Sequence, residues 1–324
     1  MDIPEDFPKT HPEFETRFAS EQQCRDFLAK LRWPEGFVCP KCGGRDAWVN
    51  CRGLFECRCG RQTSVTAGTV FHRTRTPLRL WFEVMFLMVA SKPGVSATTV
   101  MRLMGIKYST AWTWLHKLRK AMVRPGRLKL HGKVEIDESY FGGAKRGTHG
   151  RGTTKALVAC AVERLDAPAE PGEPPARVPP TVLGRVRLEV IEDATQVSLT
   201  NFALNNVETA STACTDGLSS YNELSEFGFV HEPHVIGDPK KAPKILPGVH
   251  RIFALAKRWL LGTYQGSVSK KHLPAYLHEY EFRFDRRRSS NRGKLFHRLA
   301  EIAAMIAPST YRDIVGPRPA AALS

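Results

Sequence analysis

The chain has 324 residues, 42% hydrophobic and 25% charged, enough for two or three domains and a sizeable core. Its formal net charge of +16 and pI near 9.7 favour a polyanionic partner, nucleic acid first, with a merely soluble basic protein as the alternative. The N-terminus is acidic with no hydrophobic stretch behind it, and the chain has no run of about 18 apolar residues; this argues against a membrane protein and makes the cytoplasm the expected compartment.

In chain order, residues 21–32 (EQQCRDFLAKLR) read as a short amphipathic helix with Cys24, Phe27, Leu28 and Leu31 on one side, Cys24 being a small core residue. Five of the eight cysteines then fall between residues 39 and 59, a crowding that means metal more often than disulfides in a cytosolic chain. FVCPKCGG is a Cys-x2-Cys knuckle whose Pro40 and Gly43 permit the tight turn that brings two thiolates onto one tetrahedral zinc ion. The second half, with Cys57 and Cys59 separated by one residue, is less regular. Cys39, Cys42, Cys57 and Cys59 are the expected Zn2+ ligands, Cys51 is the reserve for Cys57, and a ribbon that has lost its zinc is the alternative.

Residues 76–122 turn helical. Leu80, Trp81, Val84, Met85, Leu87 and Met88 make a strongly apolar helix, Ser96 opens a short capped one, Gly105 breaks it, and Ser109 to Met122 begins another. Helix, Gly-containing turn, helix is the helix-turn-helix layout, although a plain helical hairpin gives nearly the same pattern. In the DNA-binding reading, Ser109 and Thr110 stand where base edges are read, and Lys117, Arg119 and Lys120 reach phosphates, while Trp112, Trp114 and Leu115 pack.

After a basic Pro/Gly linker at 123–130, Val134 and Ile136 alternate with Glu135 and Asp137, the pattern of a half-buried strand that carries Asp137 to its end on the polar face. A Gly/Lys/Arg-rich stretch at 142–154, a strand at 155–163, a Pro-rich surface insertion at 166–180, a strand at 184–191 and a helix at 195–206 follow. A short strand at 209–214 delivers Asp216 just before Gly217 turns the chain, and a helix at 219–227 comes next. His231, His234 and Asp238 carry bland structural or solvated expectations. From Val249 to Leu261 the apolar residues Ile252, Leu255, Ala256 and Trp259 form one helical stripe, which leaves His250 and Lys257, two turns apart, together on the opposite face. A helix at 273–285 runs into the basic RFDRRRSSNRGK, read as a phosphate track, and an apolar helix with a loose tail ends the chain.

The phrases IDESYFGG, TDGLSSYNEL and KRWLLGTYQGSVSKKHLPAYLHEYEFRFDRR, with 79 residues from Asp137 to Asp216, 34 from Asp216 to His250 and a lysine seven beyond, resemble bacterial insertion-sequence transposases of the DDE superfamily. More narrowly, the chain looks like the group with an N-terminal zinc ribbon. That resemblance implies an α/β fold with an RNase H-like catalytic core, preceded by a small zinc ribbon and a helix-turn-helix-like domain. The expected domains are 1–72 (helix and ribbon), 73–125 (helix-turn-helix-like), 130–290 (catalytic) and 291–324 (C-terminal helix and tail). The resemblance also implies Mg2+ or Mn2+ held by Asp137, Asp216 and His250, the last in place of the more usual Glu, with Lys257 facing a DNA phosphate. Expected partners are double-stranded DNA, at element ends and target, and further copies of the chain, a homodimer or larger. Cleavage at the element ends and transfer of the freed 3′-hydroxyl to target DNA is the expected activity; a catalytically inactive DNA-binding regulator or domesticated transposase is the alternative.

Overall fold

Caps and apolar spacing fix the helices first. The computed structural model describes residues 7–124, 126–142, 155–165, 182–235, 242–266 and 268–316. The stretch 143–154, the Pro-rich insertion at 166–180 and Asp238 lie outside these residues. The chain divides into one unit from residues 1–124 and 289–324 and another from residues 125–288.

In the first unit, α1 (His11–Arg17) and α2 (Glu21–Arg32) precede a three-stranded antiparallel sheet of β1 (Ala47–Val49), β2 (Phe55–Cys57) and β3 (Gln62–Thr63). Ser20 opens α2 with a capping box: its hydroxyl accepts from Gln23 N at 3.2 Å, and Gln23 Oε1 accepts from Ser20 N at 2.8 Å. Helices α3 (Leu78–Ala90), α4 (Ala97–Met104) and α5 (Tyr108–Ala121) follow. Ser96 caps α4, and Gly105, at φ 63°, ends it in the left-handed conformation that a residue without Cβ adopts cheaply. The late helix α10 (Arg292–Met305) packs on α2, α3 and α5, and places Phe296 among Phe14, Phe18, Phe27, Phe82 and Phe86. Trp114 stacks on Trp81 at 4.2 Å, so that indole packs as expected. Arg119, expected at phosphates, is instead buried at 1% exposure: it sits on the face of α5 that closes the core, beside Leu115 and Leu118.

In the second unit, β4 (Lys133–Phe141), β5 (Ala156–Leu165), β6 (Val182–Ile191), β7 (Thr212–Thr215) and β8 (Val230–Pro233) make one mixed sheet in the order β6-β5-β4-β7-β8. β4 runs antiparallel to β5 and parallel to β7, which is in turn parallel to β8. This is the RNase H-like α/β arrangement, with β4 at the centre. α6 (Gln196–Asn206) and a 3-10 turn at Ser219–Ser225 cover the face of Val134 and Ile136. The other face lies under α8 (Pro247–Tyr264), which follows the short α7 (Ala242–Ile245), and α9 (Leu273–Asp285). The basic run beyond α9 is partly spent inside the fold: Asp285 pairs with Arg187 at 3.1 Å, and the Arg287 guanidinium donates to the carbonyls of Leu183 and Gly184. Arg287 thus satisfies carbonyls at the start of β6 and is not free to serve the expected phosphate track.

Candidate active site and cysteine centre

The cysteine centre is built by two turns. Cys39 Sγ lies 3.7 Å from Cys59 Sγ, Cys42 Sγ lies 3.6 Å from Cys57 Sγ, and all four sulfurs fall within 4.8 Å of one another. Tetrahedral zinc with bonds of about 2.3 Å separates its sulfurs by roughly 3.8 Å, so the four thiols fit that ion. Gly43 takes φ 69° and Gly60 φ 77° at the two turns. Burial opposes ionisation of Cys39, but the backbone N–H groups of Lys41 and Cys42, together with the Cys42 and Cys59 thiols, lower its pKa, while, against the Cys59 backbone N–H, the same cluster raises that of Cys57, so the four thiols share their protons unevenly. Cys51 is exposed in the β1–β2 turn and is not part of the group.

The second centre lies at a fork in the sheet. The parallel ladder between β4 and β7 ends at Glu135 opposite Cys214. Asp137 and Asp216 each stand two residues further on, where the two strands part. Pairing between β4 and β5 continues to Phe141, so Asp137 is mid-strand rather than at the strand end expected from the pattern. Gly217, at φ 81°, turns the chain directly after Asp216, and a Cβ there would press within 3.2 Å of Val235. Asp216 Oδ1 accepts from Leu218 N at 3.0 Å, holding the carboxylate at the turn.

His250 enters from α8, its Nε2 3.7 Å from Asp137 Oδ2. That nitrogen is buried and, among the described residues, has no hydrogen-bond partner. Burial first, then the Lys257 ammonium, lowers the imidazole, with Asp216 opposing, a balance that favours the uncharged ring. Asp137 accepts from Glu138 N at 2.7 Å. Its burial, and then the Glu138 and Asp216 carboxylates, push it up to about 8. A buried carboxyl crowded by like charge, beside an unpartnered imidazole nitrogen, is the environment that a divalent cation relieves. Lys257 shares the His250 face: its Nζ donates to Ser139 Oγ at 2.7 Å and lies 5.2 Å from the Phe141 ring and 5.7 Å from that of Phe253.

Three supports escaped the sequence reading. Glu135, two residues before Asp137 on the same face, has no exposure at all and accepts from Val249 N at 3.0 Å, so it seats the first turn of α8 on the sheet. Gly248 makes room for it, since a Cβ there would come within 2.7 Å of Glu135 Oε2. Tyr221, equally buried, donates to Glu138 Oε2 at 2.7 Å and ties the turn after Asp216 to β4. The alternation in KVEIDESYF marked Glu135 as polar, and nothing local announced the helix that covers it. Elsewhere, His231 Nε2 meets Thr215 Oγ1 at 2.9 Å, a structural contact. Cys214, Glu232 and His234 also converge, with Glu232 already paired to Lys133 at 2.7 Å.

Comparison with known proteins bears on both centres. The family model of an ISXO2-like transposase domain matches residues 129–285, which contain Asp137, Asp216, His250 and Lys257. That of a transposase zinc-ribbon domain matches residues 19–62, which contain the four converging cysteines. The chain belongs to the insertion-sequence transposases with an N-terminal zinc ribbon. This transposase is 28% identical over 293 residues to an uncharacterized protein in transposable element ISH50 of Halobacterium salinarum, a match that covers 82% of this chain and 91% of the relative. Among the described residues of the transposase, no helix is long and apolar enough to cross a membrane.

Proposed function

We propose that the transposase hydrolyses a phosphodiester bond at each end of its element and transfers the freed 3′-hydroxyl to target DNA. The observation that carries this reading is the fork of β4 and β7, where Asp137 and Asp216 stand as the two strands part and His250 Nε2 lies 3.7 Å from Asp137 Oδ2. Asp137, Asp216 and His250 would hold Mg2+ or Mn2+. Such ions supply the positive charge that attacking and leaving oxygens need in an in-line displacement at phosphorus. Water attacks first and the 3′-oxygen leaves; that oxygen, as a hydroxyl, then attacks a target phosphodiester and displaces its 3′-oxygen. Lys257, steadied by Ser139, would meet a DNA phosphate beside the reacting strand.

Cys39, Cys42, Cys57 and Cys59 would bind Zn2+ and take over from a core that a ribbon of about 40 residues could hardly build unaided. In this reading the ribbon (1–72) and the helix-turn-helix-like segment (73–125) read element-end DNA, residues 130–290 do the chemistry, and residues 291–324 close the chain. Both ends must be held through joining, which calls for a dimer or a larger assembly. The work would be done on DNA in the cytoplasm.

The test incubates purified protein with duplex DNA from the flanks of its own gene, in Mg2+ and then in Mn2+, beside an Asp216→Asn control. End-specific nicks and joined products that vanish in the control are expected. Binding without cleavage in either metal would replace this reading with that of a catalytically inactive regulator.

A further inference from the structure

Within the first unit, the five residues His72–Thr76, HRTRT, link the end of the ribbon segment to α3 and are pinned at several points. Thr74 N donates to Phe71 O at 3.1 Å, Thr76 N donates to Thr74 Oγ1 at 3.3 Å, and the same hydroxyl accepts from the buried Trp81 indole at 3.0 Å. His72 Nδ1 accepts from Gly68 N at 3.1 Å. The threonines turn inward, which leaves Arg73 and Arg75 exposed. Arg73 is held at φ 56°, a left-handed conformation uncommon for a residue with a long side chain and one that accumulates at functional positions. Among the described residues, neither arginine has a carboxylate partner.

A groove lies on each side of this strap. One, of about 580 Å³, is shared with Ser109, Thr110, Thr113 and Lys117 of α5. The other, of about 420 Å³, is shared with Arg25 and Arg52. At the mouth of the first, α5 begins at Lys107 with no side chain capping its N-terminus and no acid in its first turn, so its positive end is not neutralised locally. Asp313 faces Lys117 from α11 (Tyr311–Val315), but its carboxylate is engaged in capping that helix.

We propose that the strap is a backbone clamp for duplex DNA: Arg73 and Arg75 hold successive phosphates of the strand that borders the groove entered by α5, and so set the register in which Ser109, Thr110 and Thr113 meet base edges. The proposal rests on the reading of this chain as a DNA-processing transposase and assigns its first unit a contact that the helix-turn-helix pattern does not contain. Arginines on a pinned backbone suit phosphate recognition, because the strap itself needs no further ordering and no carboxylate partner must be displaced.

The test measures binding by fluorescence anisotropy across a salt series without divalent cation, in an Asp216→Asn background. It uses two labelled duplexes, one from the gene's own flank and one of unrelated sequence. Each phosphate contact contributes about 0.9 to the slope of log K against log salt. Arg73→Ala with Arg75→Ala should flatten the slope by about 1.8 and weaken both duplexes alike. Arg73→Lys with Arg75→Lys should restore most of the slope, and Ser109→Ala should weaken the flank duplex alone. Unchanged slopes in the double alanine variant, or equal losses in the alanine and lysine variants, would overturn the clamp. If the unaltered strap binds neither duplex, the DNA-reading role of the first unit falls with it, whereas cleavage at the catalytic centre is scored separately with Mg2+ or Mn2+ in a chain that keeps Asp216.

Discussion

At the scale of single residues, the proposed metal centre turns on His250, whose Nε2 faces Asp137 at 3.7 Å. With Asp137 and Asp216 as the other two donors, imidazole would bring a nitrogen to a site otherwise made of carboxylates. Mg2+ prefers oxygen donors and Mn2+ accepts imidazole more readily. The expected outcome is that His250→Glu raises the ratio of Mg2+-supported to Mn2+-supported strand joining, several-fold or more, with initial rates measured in each metal. An unchanged ratio would show that His250 is not a ligand. The position of His250 was legible because helical periodicity is local and Lys257 lies two turns on. What the sequence did not announce is the company it keeps: Ser139 under Lys257 is 118 residues away in the chain.

Elements decide whether those residues meet. β4 carries Asp137, α8 carries His250, and the join between them is the Glu135 carboxylate on Val249 N beside a glycine with no room for a methyl group. Glu135→Ala removes the seat, and Gly248→Ala pushes α8 away from it. Each is expected to lower the rate of strand joining by about 10- to 100-fold, since a displacement near 1 Å is enough for losses of that order. DNA binding by the first unit should not change, and Glu135→Gln, which keeps an acceptor oxygen, should fall much less than Glu135→Ala. Joining at the normal rate in Glu135→Ala would dismiss the positioning role. The helices and strands legible in the sequence carry small errors in their ends, because caps such as Ser96 and Thr195 and the alternation in β4 are local signals, whereas the short elements α1, β8 and α11 escaped the sequence reading. The seat was not legible either. It joins residues 114 apart, and a period of two says which side of a strand is polar without saying what covers that side. Arg287 was misread as a surface charge for the same reason, its carbonyl partners lying 103 and 104 residues away, and Arg119 because the face of α5 that carries it is buried by packing that a local pattern does not show.

For the whole molecule, the order of the chain and the order of the fold differ. α10 follows the catalytic unit in sequence yet completes the aromatic core of the first, where Phe296 is 1% exposed and Val70 N donates to Ala303 O at 3.1 Å. Phe296→Ala is expected to destabilise that unit by about 3–5 kcal/mol, the usual cost of deleting a buried aromatic side chain. Thermal unfolding followed by tryptophan emission would measure it, since Trp81 and Trp114 stack within the same unit. A loss below about 1 kcal/mol would mean that the core closes without this helix. The period of α10 could be read from the sequence, but its docking site could not, because an apolar stripe does not name the surface it covers.

The late arrival of α10 also governs when the protein can begin to act. A ribosome has synthesised residues 125–288 before it reaches Phe296, so the aromatic core of the first unit stays unfinished on the nascent chain until α10 has been made. A chain interrupted between α5 and α10 would carry Phe14, Phe18, Phe27, Phe82 and Phe86 without the Phe296 ring that packs among them.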